Sequence, residues 1–341
     1  MPLDIVMADP KSFDGRSALE GPLGGTEAAF CELAAALAEE GHRVQAFTQG
    51  ARRLTQDGVV WRPLADGVPA RCDLLIANRG SKMIGLVPRA RRRVFWLHNP
   101  GDHLSKPKFL APLLRHRPTV VVLGDYHAAS LPWWIPRSRV VRIGHGIAPT
   151  FRRAAPRAEP PPRRAIMTSN PERGLIWLVD LWLERVLPQV PDAELHVYSG
   201  AATYRGRKEA EMTELVRRAR DRAGTSVQFH APVPAAELAE ALGEARLMPY
   251  RGDPGETFCR SVAEAQAMGV PVVTQPLGAL PERVQDGVTG FVRADDAGFA
   301  EACVHLLQDD DLWRRQHAAA FAAGRDQTWA RAARAVAALA A

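Results

Sequence analysis

Cysteine is scarce in this 341-residue chain: Cys31, Cys72, Cys259 and Cys303 stand far apart. That scatter excludes a disulfide framework and offers no metal-ligand spacing, so a reducing compartment and small buried thiols are expected. No apolar run approaches the ~20 residues of a membrane span. A charged n-region and apolar h-region are also missing, because Met1-Pro2-Leu3-Asp4 passes directly into a strand-like run, and no signal peptide is expected. Three aspartates run together at Asp309-Asp310-Asp311, where a helix opens and carboxylates complement its dipole, so no metal site is expected there.

What remains is a chain with 46% apolar residues, enough for two domains with their own cores. Its charge is uneven. Residues 1–164 hold 25 Lys/Arg against 14 Asp/Glu, and the remainder holds 19 against 24. A basic first half suits an anionic partner, whether an acceptor, a membrane surface or nucleic acid, and Arg89, Arg91, Arg92 and Arg93 form its densest cluster.

Short β-branched runs alternate with helical or looped connectors throughout. In the first half they are Asp4–Asp9, His42–Thr48, Val59–Leu64, Asp73–Asn78, Arg93–His98, Thr119–Leu123 and Val140–Ile143. Ala28–Glu40 reads as a helix behind Gly24-Gly25-Thr26-Glu27, a turn that admits close approach to a ligand. A third spaced glycine is absent, so it is not the dinucleotide fingerprint. Phe151–Arg164 is rich in proline and arginine and reads as a linker. Beyond it, strands are expected at Ala165–Thr168, Glu194–Tyr198 and Val227–His230, with helices at Leu175–Leu187, Arg207–Arg222 and Leu238–Ala245. The fold class is α/β, built of doubly wound sheets.

The most informative stretch is Leu247–Arg293. Leu247–Tyr250 is a strand closed by Arg-Gly-Asp-Pro-Gly; Thr257–Met268 reads as a helix, and Val270–Thr274 as a second buried strand. Glu256 stands before the helix and Glu264 on it. Eight residues of helix rise span about 12 Å, more than the roughly 5 to 9.5 Å between glycosidase carboxyls. The pair therefore suits two ends of one ligand.

Glu256 and Glu264, then Gly269-Val270-Pro271-Val272-Val273, Glu282, Asp286-Gly287 and Thr289-Gly290-Phe291, resemble family 4 of the retaining GT-B glycosyltransferases. The resemblance implies two Rossmann-like domains facing across a cleft. They would be 1–150 on the acceptor side, a 151–164 linker, 165–325 on the donor side, and a 326–341 helix returning to the first. It implies transfer of a hexosyl unit from a UDP- or GDP-sugar to a saccharide or lipid-linked acceptor, by a front-face mechanism without metal or cofactor. Glu256 would contact the donor sugar and Glu264 the ribose, while Thr257, Phe258, Cys259 and Arg260 would supply N–H groups to the diphosphate. His98, after Trp96-Leu97, would face the sugar; Gly24, Gly25 and Thr26 would line the ligand; Ser169 and Val233 would lie on phosphate and base loops. Gly144-His145-Gly146-Ile147 resembles the turn that closes the family's first domain.

Two departures stand out. Thr257 and Cys259 replace the glycines that usually flank the phenylalanine, which narrows the sugar pocket. The phosphate loop has Arg173 at the family's lysine position but Thr168 at its arginine position; Arg260, Arg251 and Lys208 are the candidates to make good that charge. A cytoplasmic chain is expected, with peripheral contact to the inner membrane face through the basic half as an option, and no nucleic-acid partner. The rival readings are an epimerase or phosphorylase of the same fold, and a non-catalytic nucleotide or nucleic-acid binder.

Overall fold

The central apolar runs of the first half, Ile5–Ala8, Leu74–Ala77 and Val120–Val122, become strands buried on both faces, which is why they are continuous rather than alternating. The computed structural model describes all residues except 22, 153–154 and 202–206, and the side chain of 18. Strands β1 (Asp4–Asp9), β2 (Arg43–Thr48), β3 (Leu54–Gln56), β4 (Val59–Pro63), β5 (Arg71–Asn78), β6 (Arg89–Trp96), β7 (Thr119–Val122) and β8 (Val140–Arg142) form one sheet, ordered β3-β4-β2-β1-β5-β6-β7-β8. All pairs are parallel except β3–β4. Helices α1 (Ser17–Glu20), α2 (Gly25–Glu39), α3 (Pro107–His116) and α4 (Asp125–Ala129) connect them.

Strand β3 is absent from the sequence reading. It is only three residues long, but Asp57 and Gly58 at φ 51° and 74° form the two-residue hairpin turn that pairs it with β4. Strand β6 starts at Arg89, four residues before expectation, because Ala90 turns inward while Arg89, Arg91 and Arg92 are exposed. Two of the four clustered arginines are already occupied. Arg92 donates to the Ala341 carbonyl (3.0 and 2.7 Å), and Arg93 to the carbonyls of Val87, Pro88 and Ala90.

The second half holds β9 (Arg164–Met167), β10 (Glu194–Tyr198), β11 (Val227–His230), β12 (Met248–Tyr250), β13 (Val272–Thr274) and β14 (Gly290–Val292). Two parallel three-stranded sheets, β11-β10-β9 and β12-β13-β14, are joined by a parallel bridge between Ala165 and Leu247. Helices α5 (Pro149–Arg152), α6 (Leu175–Leu181), α7 (Arg207–Arg222), α8 (Ala235–Gly243), α9 (Arg260–Ala267), α10 (Leu280–Arg283), α11 (Asp296–Gln308) and α12 (Asp310–Arg325) flank them. The helix expected over Leu175–Leu187 widens after α6 into one π-type turn, Trp182–Val186. Trp182, Phe299, Leu195 and Val197 are fully enclosed in this core. The triple aspartate is used locally: Asp309 caps α12 by accepting from Leu312 N (2.9 Å), Asp310 pairs with Arg246, and Asp311 with Arg314 (2.9 Å).

Two compact units result, Met1–Gly146 with Gln327–Ala341, and Ile147–Asp326. The chain thus changes unit ahead of the proline-rich stretch, whose Arg157 N donates to His317 Nε2 (2.9 Å) and whose Arg163 pairs with Asp192 (2.9 Å) within the second unit. The last helix, α13 (Trp329–Ala337), is capped by Thr328 and packs on α2, and its buried residues are Trp329, Ala332, Ala333 and Val336. That spacing is one helical face. Burying the indole alone, about 200 Å², is worth about 5 kcal/mol of transfer free energy. Gly146 is required there: a Cβ would lie 2.3 Å from Trp329 N.

Candidate functional site

In the second unit the chain runs from β9 outward to β10 and β11, then returns to place β12 on the other side of β9. The carboxyl ends of β9 and β12 are therefore a switch point, where adjacent connections diverge and leave a crevice. After β9, Asn170 accepts from Glu172 N (2.8 Å), and Gly174 turns at φ 95° into α6. This short capped turn fixes Arg173. Its Nη1 lies 2.6 Å from Glu256 Oε1 and 3.8 Å from Asp253 Oδ1. Tyr250, at the end of β12 and 1% exposed, donates its hydroxyl to Glu256 and stands 3.2 Å from Ser169 Oγ. Ser199 Oγ in turn donates to the Ser169 carbonyl (2.5 Å).

The Glu256 backbone is clamped as well. Its N–H donates to Asp253 O (3.0 Å) and its carbonyl accepts from Ala279 N (2.9 Å). Gly278, at φ 57°, makes the second contact possible: a Cβ there would come within 2.6 Å of that carbonyl. Burial pushes the Glu256 carboxyl upward, against the pull of the Arg173 charge and the Tyr250 hydrogen bond. For Arg173, burial opposes the charge, yet Glu256, Tyr250 and Asp253 together raise its pKa. Burial, more than any neighbouring charge, drives Tyr250 well above its ordinary value, so it stays a hydrogen donor. The Cys259 thiol is raised by burial first and by Glu256 next, which removes it as a nucleophile.

The helix expected from Thr257 begins only at Arg260. Cys259 stands before it at φ 60°, a left-handed conformation that costs an L-residue roughly 1 to 2 kcal/mol. Glycine would be free there, so a residue substituted in the motif is also a strained one. Thr257, Phe258 and Cys259 are buried, and the Arg283 guanidinium lies 4.7 Å from the Phe258 ring centre. The 12 Å of helical rise between Glu256 and Glu264 therefore does not hold, because half of that segment is loop. Glu264 sits one turn into α9, with Arg260 Nη2 3.1 Å from its Oε1.

Each cation suggested in place of the missing arginine has a partner: Arg260 has Glu264, Lys208 has Glu172, and Arg251 Nε reaches Gln275 Oε1 at 3.3 Å. Thr168 Oγ1 is buried with no hydrogen-bond partner among the described residues. Val233 is half-buried in the loop after β11. Beside that loop, unread in the sequence, the rings of Tyr198, His230 and His196 stack at 4.3 and 5.1 Å. Strand register produces this column, since Tyr198 pairs with His230 and His196 with Gln228.

The first unit has its own switch point, between β1 and β5. Asp9 ends β1 and Asn78 ends β5, both fully buried. His98 Nε2 lies 2.6 Å from Asn78 Oδ1, Asn78 Nδ2 donates to Asp9 Oδ2 (2.5 Å), and Arg79 Nε donates to the same oxygen (2.7 Å). Arg79, at φ 44°, also pairs with Glu27 (3.0 Å) in the first turn of α2. Helix α2 begins at Gly25 rather than Ala28, so Gly25 and Thr26 belong to its first turn and Gly24 precedes it. His98 lies two residues beyond the strand rather than at its end, 5.3 Å from the His145 ring, which stacks on Trp329 at 5.6 Å. The structure thus gathers Arg173, Glu256 and Ser169 in one unit and, in the other, links His98 through Asn78, Asp9 and Arg79 to Glu27, the residue that follows the Gly24–Thr26 turn. Asp9, Asn78, Arg79 and Tyr250 are members that sequence reading missed. Their signal was a polar residue closing an apolar strand run.

Residues 165–309 match the family model described as Glycosyl transferases group 1. The D-inositol 3-phosphate glycosyltransferase of Streptomyces griseus is 35% identical over 113 residues, 33% of this chain and 24% of that protein. The GDP-mannose-dependent alpha-mannosyltransferase of Corynebacterium glutamicum is 33% identical over 96 residues, 27% of this chain and 23% of that protein. The matched segment spans about a quarter of the length of these curated relatives. Among solved structures, sucrose-phosphate synthase from Thermosynechococcus elongatus superposes with a TM-score of 0.74 at 17% identity, covering 98% of this chain and 97% of that one. Anabaena HepE in complex with UDP-glucose gives 0.74 at 15% identity, with 98% of each chain covered. The chain has the GT-B fold of these glycosyltransferases, and the segment carrying the Arg173–Glu256–Tyr250 cluster is the one that matches glycosyl transferases group 1.

Proposed function

We propose that this protein is a retaining glycosyltransferase. It moves a hexosyl unit from a UDP- or GDP-sugar to a hydroxyl of a saccharide or lipid-linked acceptor, without metal or cofactor. The observation that carries this reading is the Arg173–Glu256–Tyr250 cluster, held at the switch point of a unit matched to glycosyl transferases. Names of relatives support the class: inositol phosphate glycosyl transfer and mannosyl transfer from GDP-mannose among sequences, and UDP-glucose bound in HepE.

In the front-face reaction the bond from the anomeric carbon to the diphosphate breaks while the bond to the acceptor oxygen forms on the same face. The acceptor proton passes to a diphosphate oxygen, so no side chain need serve as nucleophile. Arg173 is the counter-charge for the departing diphosphate, and the N–H groups from Thr257 to Arg260 add donors at the start of α9. Glu256, oriented by Tyr250, accepts hydrogen bonds from sugar hydroxyls; Glu264 does so from ribose. The loop bearing Ser169 and the Val233 loop line the nucleotide. On the first unit, His98 and the Gly24–Thr26 turn form the acceptor-side candidate. Thermal shift with UDP, GDP and ADP tests the nucleotide site, because a ligand of the native state raises its stability. Turnover with acceptor, giving a product of the donor's anomeric configuration in chelator, supports the assignment; donor consumption without acceptor overturns it in favour of epimerisation.

A further inference from the structure

Lys106, Lys108, Arg115, Arg117, Arg137, Arg139 and Arg142 fall between residues 105 and 146, and the only acid among them, Asp125, pairs with Arg142. Lys106, Lys108, Arg115 and Arg117 stand exposed at the two ends of α3. Large exposed apolar side chains are few among the described residues, yet Leu114 (57% exposed) and Trp133 (92%) both belong to this region. Leu114, with Leu113, Pro118, Trp134 and Ile135, lines a groove of about 290 Å³ that Arg117 and Arg139 also border, and Trp133 is the chain neighbour of its Trp134. Its two walls are tied: Arg139 Nη1 donates to Arg117 O (3.3 Å), and Trp134 Nε1 to Ser105 Oγ (3.2 Å). The groove lies where β7 and β8 begin, whereas the Asp9–Asn78–His98 network stands where β1 and β5 end.

We propose that this face docks on the surface of an anionic phospholipid bilayer, with lipid phosphates on the arginines and lysines and Trp133 and Leu114 inserted at the headgroup level. Basic groups beside an exposed indole and an apolar slot are what such an interface rewards: charge draws the surface in, and apolar side chains anchor in it. A nucleic-acid duplex, with its bases already stacked inside, would use the cations but leave Trp133 and Leu114 in water. The contact is also distinct from the Arg89–Arg93 cluster, half of which serves the protein's own carbonyls.

The test is co-sedimentation of the whole chain with vesicles of phosphatidylglycerol and phosphatidylcholine, against phosphatidylcholine alone and against duplex DNA. Binding should need the anionic lipid and weaken with salt. Trp133→Ser with Leu114→Ser should weaken it about tenfold by loss of inserted apolar area, without changing the melting temperature. Lys106→Gln, Lys108→Gln and Arg115→Gln together should cost about 10²-fold, about fivefold for each charge, while Arg89→Gln with Arg91→Gln should not. The readout needs no turnover, so it stands apart from the transfer assigned above. Absence of vesicle binding, indifference to Trp133 and Leu114, or tighter binding to DNA than to anionic vesicles would each overturn the proposal.

Discussion

Arg173→Ala should lower stability and turnover by separable routes, because Arg173 pairs with Glu256 and, in the proposed reaction, is also the counter-charge for the diphosphate. At 2.6 Å the ion pair is close, and the two side chains are 27% and 12% exposed. With an effective dielectric near 20, unit charges about 4 Å apart attract by roughly 4 kcal/mol. Removing one partner of a buried pair typically costs about 3 to 5 kcal/mol. A loss of about 3 kcal/mol at pH 8 is expected. The sign with pH follows from the carboxyl. Burial already raises Glu256 above its ordinary 4.5, so the folded chain holds a proton longer than the unfolded one, and this group's contribution falls as pH rises from 4.5 through the folded value. Without Arg173 the carboxyl rises further, so the variant's deficit should be small near pH 5 and full at pH 8. Urea unfolding at both pH values, in wild-type and Glu256→Gln backgrounds, measures it. In the Gln background Arg173→Ala should cost about 1 kcal/mol or less. Turnover should fall about 10²-fold, close to 2.7 kcal/mol of barrier, with partial rescue by Arg173→Lys. Equal stability loss in both backgrounds, or unchanged turnover, would refute the reasoning.

Glu256→Gln should leave nucleotide affinity nearly intact while turnover drops two to three orders of magnitude, about 3 to 4 kcal/mol; intact-protein mass after donor alone should show no added sugar. Glu264→Gln should raise the donor KM about tenfold or more, since a charge-assisted hydrogen bond is worth about 1.5 to 3 kcal/mol; an unchanged KM removes Glu264 from the site. Cys259→Gly should change stability by less than about 1 kcal/mol, because relief of the left-handed strain offsets the lost thiol burial and added chain entropy. Gly146→Ala should instead destabilise by about 1 to 3 kcal/mol, as its Cβ meets the Trp329 backbone; thermal melts of the two variants compare them directly.

Much of this protein is determined along the chain. Apolar runs such as Ile5–Ala8 and Val120–Val122 specify doubly buried strands without any partner being known, since burial on both faces writes itself as a continuous run. The order of Arg173, Glu256, Glu264 and Gly269-Val270-Pro271 likewise marks the segment that matches glycosyl transferases group 1, because the residues lie on adjacent β–α connections. Element ends are less legible. The start of α9 is decided by Cys259 adopting a left-handed backbone, which no propensity favours for that residue, and by contacts of the 253–279 loop around Glu256. What belongs to tertiary structure alone is proximity. Asn78 is 69 positions from Asp9 and 20 from His98, yet it hydrogen-bonds both because the order β1-β5-β6 brings the carboxyl ends of three strands side by side. Tyr250 reads as the last residue of an apolar strand and becomes the hydrogen donor to Glu256 only because the Gly/Pro loop folds back over it. The arginines near residue 90 look like one basic patch in sequence, but strand geometry turns Arg93 back on the Val87–Ala90 carbonyls and the returning C-terminal helix brings Ala341 to Arg92. Charge composition is a property of the chain, whereas which charges face solvent depends on where the backbone ends each strand and what packs against it.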